Sequence, residues 1–348
     1  MSGVACNVSE AAPADWDDYV RAHADAGAFH LAAAVSIGAR VFGLRTYHLT
    51  VRGEDGRMTG ALPLVEQQIV PMTRSLVSLP FCTYGGPIAD NDLALAALID
   101  GAETLAVRRG ARKIVLRQRR PIPSVCQPVR LDKVSMILDL PDGIDALSHR
   151  LGAKLRSQIR RADRVSPEVM FGGADLLDEF YEVFSSVMHE LGTPVYPRRF
   201  FDAVLRALGD LATVVVVRVD GRPASGAILV RWQQVAEVPW AATKRRYNPV
   251  SINMRLYWEL LRHSVESKCL RFDFGRSSRD SGTYRFKKQW GAVEDQLYWM
   301  SWVPGGGAGA QSLADGGAKR EMLMSVWSKL PIRVANWLGP HIAPRLPW

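Results

Sequence analysis

Apolar positions recur along this chain with two different periods. Leu177, Phe180, Tyr181, Phe184 and Met188 stand at helical spacing and predict a helix over 176–191, with a second over 198–208. Similar patterns predict helices over 14–24, 32–39, 93–109 and 252–268. Runs of apolar and β-branched residues bounded by turn formers predict strands over 75–81, 113–116, 213–219, 235–242 and 270–274. Two hairpins stand out, because Asp55-Gly56-Arg57 and Asp220-Gly221-Arg222 each lie between apolar runs, and Asp-Gly supplies the positive φ angles of a tight turn.

The two hairpins belong to a longer repeat. In each half the order is helix, helix, β-hairpin, strand, helix, strand, and the halves are offset by 165 residues. The expected fold class is α+β: two tandem units with mixed sheets flanked by helices, in the order shown by a GNAT-type core, the acyl-CoA N-acyltransferase fold. The expected divisions are 1–150 for the first domain, 151–166 for a basic connector, 167–303 for the second domain, 304–316 for a Gly-rich linker and 317–348 for an amphipathic tail. Met322, Leu323, Val326, Trp327 and Leu330 share one face of that tail beside Lys319, Arg320, Lys329 and Arg333, with Trp337 and Trp348 further on. Docking on the body and contact with an anionic membrane surface both suit it.

Composition narrows the function classes. With 348 residues and 47% hydrophobic content there is ample material for two cores. The formal charge of +9 suits an anionic partner: nucleic acid, a phosphorylated substrate or an acidic membrane surface. Cys6, Cys82, Cys126 and Cys269 are scattered, without CxxC or a His at ligand spacing, so neither a zinc site nor a disulfide framework is expected. The N-terminus lacks a signal-peptide pattern and no apolar run reaches membrane-spanning length, so a cytoplasmic protein is expected, with the tail touching the inner face of the membrane as a further reading.

Candidate chemistry concentrates after the strand at 270–276, where Gly282-Thr283-Tyr284-Arg285-Phe286-Lys287-Lys288-Gln289-Trp290-Gly291 sets cations among aromatics. Aminolysis of an activated ester or thioester needs a neutral amine, close approach to the carbonyl and stabilisation of the tetrahedral oxyanion. Lys287 or Lys288 can supply the charge, Tyr284 a hydrogen bond, and Asp273, alternating away from Phe272 and Phe274, a base for the amine proton. Ion pairing of Asp273 with Arg271 or Arg276 is the competing reading. Lys244, Arg245 and Arg246, before Asn248 and a Ser/Asn cap, suit a phosphate, although 244–253 lacks the glycines of a backbone phosphate cradle. Arg156 and Arg160 lie on a helix-compatible basic segment whose like charges an anion would relieve.

With these residues in place, the chain resembles the FemAB family of aminoacyltransferases, and more closely the FemAB-related proteins of PEP-CTERM/exosortase and exopolysaccharide clusters. The resemblance runs from about residue 29 to 299. It is carried by Ser78-Leu79-Pro80-Phe81 with Tyr84-Gly85-Gly86-Pro87, by Lys154-Leu155-Arg156-Ser157-Gln158-Ile159-Arg160, and by Leu191-Gly192-Thr193-Pro194-Val195-Tyr196-Pro197. Arg246-Tyr247-Asn248, Phe272-Asp273-Phe274-Gly275-Arg276 and the 282–291 segment complete it. The resemblance implies tandem GNAT-like domains and transfer of an aminoacyl or acyl group to an amine of a cell-envelope or exopolysaccharide precursor. It places the active-site lysine of a Phe-Lys-x-x-Phe-Gly-like element at Lys287, with Trp290 in the second aromatic position. Lys287, Asp273 and Tyr284 are the expected catalytic residues; Lys244, Arg245, Arg246, Arg156, Arg160, Arg276, Lys288 and Trp290 are the expected substrate contacts. No metal or cofactor is expected, the donor substrate being aminoacyl-tRNA or acyl-CoA, and DNA is not an expected partner. The coiled-coil insertion some members use with tRNA is absent, so a CoA or carrier-protein thioester stays open as donor. A non-catalytic scaffold in exopolysaccharide assembly is the reading from another class.

Overall fold

The computed structural model describes residues 5–69, 73–122, 127–303 and 324–346. Cys126, the Gly-rich linker at 304–316, the start of the tail and Trp348 lie outside the described residues. The first part of the chain forms β1 (Cys6–Ser9), α1 (Trp16–Ala22), α2 (Ala32–Val35), α3 (Ile37–Phe42), β2 (Thr46–Arg52), β3 (Met58–Ile69), β4 (Thr73–Val77), β5 (Ile88–Ala89), α4 (Asp92–Arg109), β6 (Lys113–Gln118) and β7 (Gln127–Arg130). Next come β8 (Lys133–Asp139), α5 (Ile144–Arg150), α6 (Ala153–Asp163), β9 (Glu168–Gly172), α7 (Leu177–Glu190), α8 (Arg198–Leu208), β10 (Ala212–Val219) and β11 (Arg222–Trp232). The remainder forms β12 (Val235–Thr243), α9 (Ile252–Glu266), β13 (Arg271–Ser278), α10 (Gly282–Lys288), β14 (Val293–Gln296), β15 (Tyr298–Trp302) and α11 (Ile332–Ile342).

Local chemistry sets these elements. The Asn91 side chain accepts from Ala94 N and starts α4, which stops where Gly110 turns left-handed at φ 61°. Between its ends α4 buries Leu98, Ile99, Ala102 and Leu105 in the first core, with Leu49 and Leu62 of the β2–β3 hairpin. In the second hairpin Asp220 and Gly221 take φ 51° and 68° between paired Val219 and Arg222, the two-residue turn expected of Asp-Gly.

The repeat seen in the sequence recurs in the sheets. In one, β1, β2, β3 and β4 run antiparallel in turn and β4 pairs parallel with β6; in the other β9, β10, β11 and β12 do the same and β12 pairs parallel with β13. The next strand of each sheet comes from outside its own repeat. β15 enters the first sheet between β6 and β7, and β8 lies between β13 and β14 in the second.

That strand exchange corrects the expected domain limits. The compact units are 1–133 with 296–317 and 344–348, and 134–295 with 318–343, instead of a division at 150 and 303. Strand pairing, not sequence proximity, decides membership: β8 was expected in the first domain and β15 in the second. The basic segment at 151–166 is no connector either. Its α6 buries Leu155, Ile159 and Ala162 in the second unit's core and packs on α9. Among the described residues no helix is long and apolar enough to cross a membrane.

Candidate functional site

The second sheet loosens where β12 meets β13. Cα pairing along β11 and β12 runs Ile228 to Trp240 and Val230 to Glu237, so Val238 and Pro239 together oppose Leu229. This is a β-bulge, placed where Pro239 has no N–H to give a ladder. It reverses the facing of the strand: Ala236 and Val238 lie in the α9 core, whereas the Trp240 ring meets Phe200 and Phe201 of α8 edge-on. The parallel ladder between β12 and β13 ends at Glu237 and Asp273, although both strands continue.

Just beyond that last pair, Gly275 sits at φ +77° with Val238 O 3.0 Å from where a Cβ would stand. Glycine is required there on both counts. Asp273 Oδ1 accepts from Gly275 N at 2.7 Å and from Ser135 Oγ of β8 at 2.5 Å. The turn this makes is an Asx-type closure of the backbone on its own strand, and it leaves the Gly275 and Arg276 carbonyls to a third element.

That element is α10. Ser281 caps it, its Oγ accepting from Tyr284 N at 3.2 Å while donating to Ser278 O at 2.7 Å. In its last turn Lys287 reaches back to β13, and Nζ donates to Gly275 O at 2.7 Å and Arg276 O at 2.9 Å. An ammonium has three N–H donors, so one remains for a ligand. Lys287 is 6% exposed. Burial brings its pKa down from the usual lysine value to about 8, with the Asp273 carboxylate opposing the fall and the Arg276 guanidinium adding to it. On the same strand the Ser277 hydroxyl is buried without a hydrogen-bond partner among the described residues. The site is thus a desolvated amine held by two carbonyls at a point where a parallel strand pair opens.

The structure brings Lys287, Asp273 and Arg276 together and redistributes the other expected residues. Asp273 is fully buried, not turned to solvent, and accepts from Ser135 of the neighbouring strand β8; it fixes the Gly275 turn, favours the Lys287 charge and is not placed as a base for an incoming amine. The Tyr284 hydroxyl donates to Glu294, which also accepts from Arg279 Nε at 2.9 Å, so it is not aimed at an oxyanion; that bond to Glu294 raises its pKa. Trp290 is buried with Tyr257 and Phe286 and serves the core instead of a substrate. Lys288 is exposed, its Nζ 5.6 Å from the Tyr284 ring centre.

The expected phosphate contacts are tied down to differing degrees. Lys244 Nζ pairs with Glu182 of α7 at 2.5 Å and is buried, Arg245 lies 3.5 Å from Glu190, and Arg246 stacks over Tyr247. Arg156 donates to Leu151 O at the end of α5, whereas Arg160 is exposed. Ser251 precedes α9 at φ 60° without a side-chain cap bond, and Asn253 Oδ1 accepts from Thr243 instead of capping. α6 packs on the 245–250 turn, and Arg160, Arg161 and Arg245 are exposed. Sequence reasoning missed Ser135, Ser281, Glu294 and the bulge. Ser281 and Pro239 carried local signals, a cap residue before the helix and a proline inside a strand; Ser135 and Glu294 carried none, because distant segments deliver them.

With that geometry established, residues 149–288 match the model of the acetyltransferase (GNAT) domain. No curated protein matches. Among solved structures, FemX aligns over 85% of this chain and 97% of its own at 15% identity and a TM-score of 0.69. L-PGS from Bacillus licheniformis aligns over 92% and 98% at 13% identity and 0.57. A tandem GNAT protein from the clavulanic acid biosynthesis pathway aligns over 85% and 98% at 12% identity and 0.52. The fold is that of tandem GNAT proteins, and with the matched domain it marks the chain as an acyltransferase.

Proposed function

We propose that this is a FemAB-type N-acyltransferase that moves an aminoacyl or acyl group onto an amine of a cell-envelope or exopolysaccharide precursor, in the cytoplasm. The observation that carries the reading is Lys287: a buried ammonium with two N–H groups on the Gly275 and Arg276 carbonyls and one to spare, inside the matched acetyltransferase domain. The acceptor nitrogen adds to the acyl carbonyl, the C=O electrons move to oxygen, and Lys287 donates its remaining hydrogen bond to that oxyanion. Collapse breaks the bond to the leaving oxygen or sulfur, and the proton lost from the nitrogen neutralises the leaving group. A preorganised donor in a desolvated site serves this step far better than one in water. Ser277, buried without a hydrogen-bond partner among the described residues, supplies a further hydrogen bond to the bound donor.

Two donors remain in competition. The motif order favours aminoacyl-tRNA, and the exposed Arg160, Arg161 and Arg245 suit a phosphate backbone. The acetyltransferase description of the matched domain favours a thioester, which the glycine-free 244–253 segment would have to hold by side chains. Transfer from aminoacyl-tRNA and from acetyl-CoA to a soluble primary amine tests both. The Lys287→Met variant should lose at least about 100-fold in kcat with the productive donor while its circular dichroism is unchanged. A variant within about threefold of wild type would remove Lys287 from the chemistry.

A further inference from the structure

The described tail settles on the second unit in an unusual way. Gly192 admits the backbone of Met324, whose O would lie 2.3 Å from a Cβ there, and Gly339 of α11 lies against the Val195 backbone, 2.9 Å from Val195 O to a Cβ at that position. His189 Nε2 and Leu330 O are 2.7 Å apart. On the inward side of α11, Ala335 and Gly339 are buried one helical turn apart, with half-buried Leu338 and Ile342 on the same stripe. Its other large apolar residues face out: Trp337 is 69% exposed, Ile332 41% and Val334 40%, and Val326 ahead of the helix is 56% exposed.

A helix whose only task is to dock would bury its large side chains and expose its small ones. Here Trp337, the largest side chain of α11, stands in solvent while Ala335 and Gly339 are buried. Arg333 and Lys329 are exposed beside Trp337, and residues 324–343 hold no Asp or Glu. Tryptophan and aliphatic side chains flanked by cations, without acids, match the headgroup boundary of an anionic bilayer, where rings bury and lysine or arginine heads meet phosphates.

We propose that the outer face of the docked tail, Val326, Lys329, Arg333, Val334 and Trp337, seats the protein on a membrane surface carrying anionic headgroups. The two readings of the tail from sequence then hold together: the side carrying Ala335 and Gly339 docks and the side carrying Trp337 meets lipid. This goes beyond the acyl-transfer reading and stands apart from it, because partitioning is measured without turnover.

The test is sedimentation of the full chain with vesicles of phosphatidylcholine alone or with about a third phosphatidylglycerol. Binding should be at least about fivefold stronger to the anionic vesicles, the share expected for each cation near such a surface. Val334→Ser with Trp337→Ser should cut it by about tenfold, and Lys329→Gln with Arg333→Gln, which leaves the packed side untouched, by a similar factor. Arg160→Glu with Arg161→Glu on α6 should leave most of it. The proposal is overturned if both tail variants bind like wild type, if the α6 variant alone abolishes binding, or if light scattering shows a dimer that the tail substitutions dissociate.

Discussion

Lys287 is the residue on which the chemistry turns, and its surroundings give it a testable pH signature. Burial holds its pKa near 8, so its charge, and with it oxyanion stabilisation, is present below that pH and lost above it. A falling limb in the rate near pH 8 is expected. Asp273 favours the charged form, so Asp273→Asn should move that limb to lower pH by about one unit or more; an unmoved limb would separate Asp273 from Lys287. Stability carries the same shift with a defined sign. Between about 8 and the unfolded lysine value near 10.4 the unfolded chain binds more protons than the folded one, so stability rises with pH through that window. Urea midpoints at the two ends of the window should show this rise in wild type and not in Lys287→Met. At Gly275 a methyl group meets Val238 O in a left-handed backbone, so Gly275→Ala should cost about 1–3 kcal/mol in urea unfolding and depress activity through the displaced carbonyl.

At the level of elements, most pieces were legible because they are local. The helix at 198–208 matches α8 at both ends, and the 176–191 and 252–268 helices match α7 and α9 within two residues. Both Asp-Gly hairpins formed, the second with positive φ at Asp220 and Gly221, the first as a longer turn in which Gly56 takes φ 77° and Asp55 does not. What the sequence hid is pairing between distant strands. β8 and β15 carry ordinary apolar patterns, and nothing in those patterns names the sheet they enter. The same blindness covers the site: Lys287 was readable from its aromatic setting, but Asp273 read as outward because alternation gives a direction and not what lies there, and its partner Ser135 comes from 138 residues away. The exchange makes a distinctive prediction. Met300 on β15 is buried in the first unit's core, so Met300→Asp, late in the sequence, should expose amides of β2, β3 and β6 to hydrogen exchange before those of β10 and β11. Earlier exchange in β10 and β11 would contradict the strand assignment.

Over the whole molecule, a net charge of +9 and the exposed arginines of α6 accompany the buried Lys287 amine of the matched domain. Charge alone would bind any polyanion, so RNA affinity by itself decides nothing and must be compared at fixed salt with charged and deacylated tRNA. Arg160→Glu with Arg161→Glu should weaken tRNA binding about tenfold or more if the donor contacts α6. The most direct measurement of the central claim is the pH dependence of acyl transfer to a primary amine, with aminoacyl-tRNA and acetyl-CoA as donors, for wild type and for Lys287→Met. The account predicts turnover with one of the two donors, a falling limb near pH 8 in wild type, and a loss of about 100-fold or more in Lys287→Met at pH 7. Wild-type rates that climb without a break past pH 9, together with a Lys287→Met variant of near-normal activity, would contradict it.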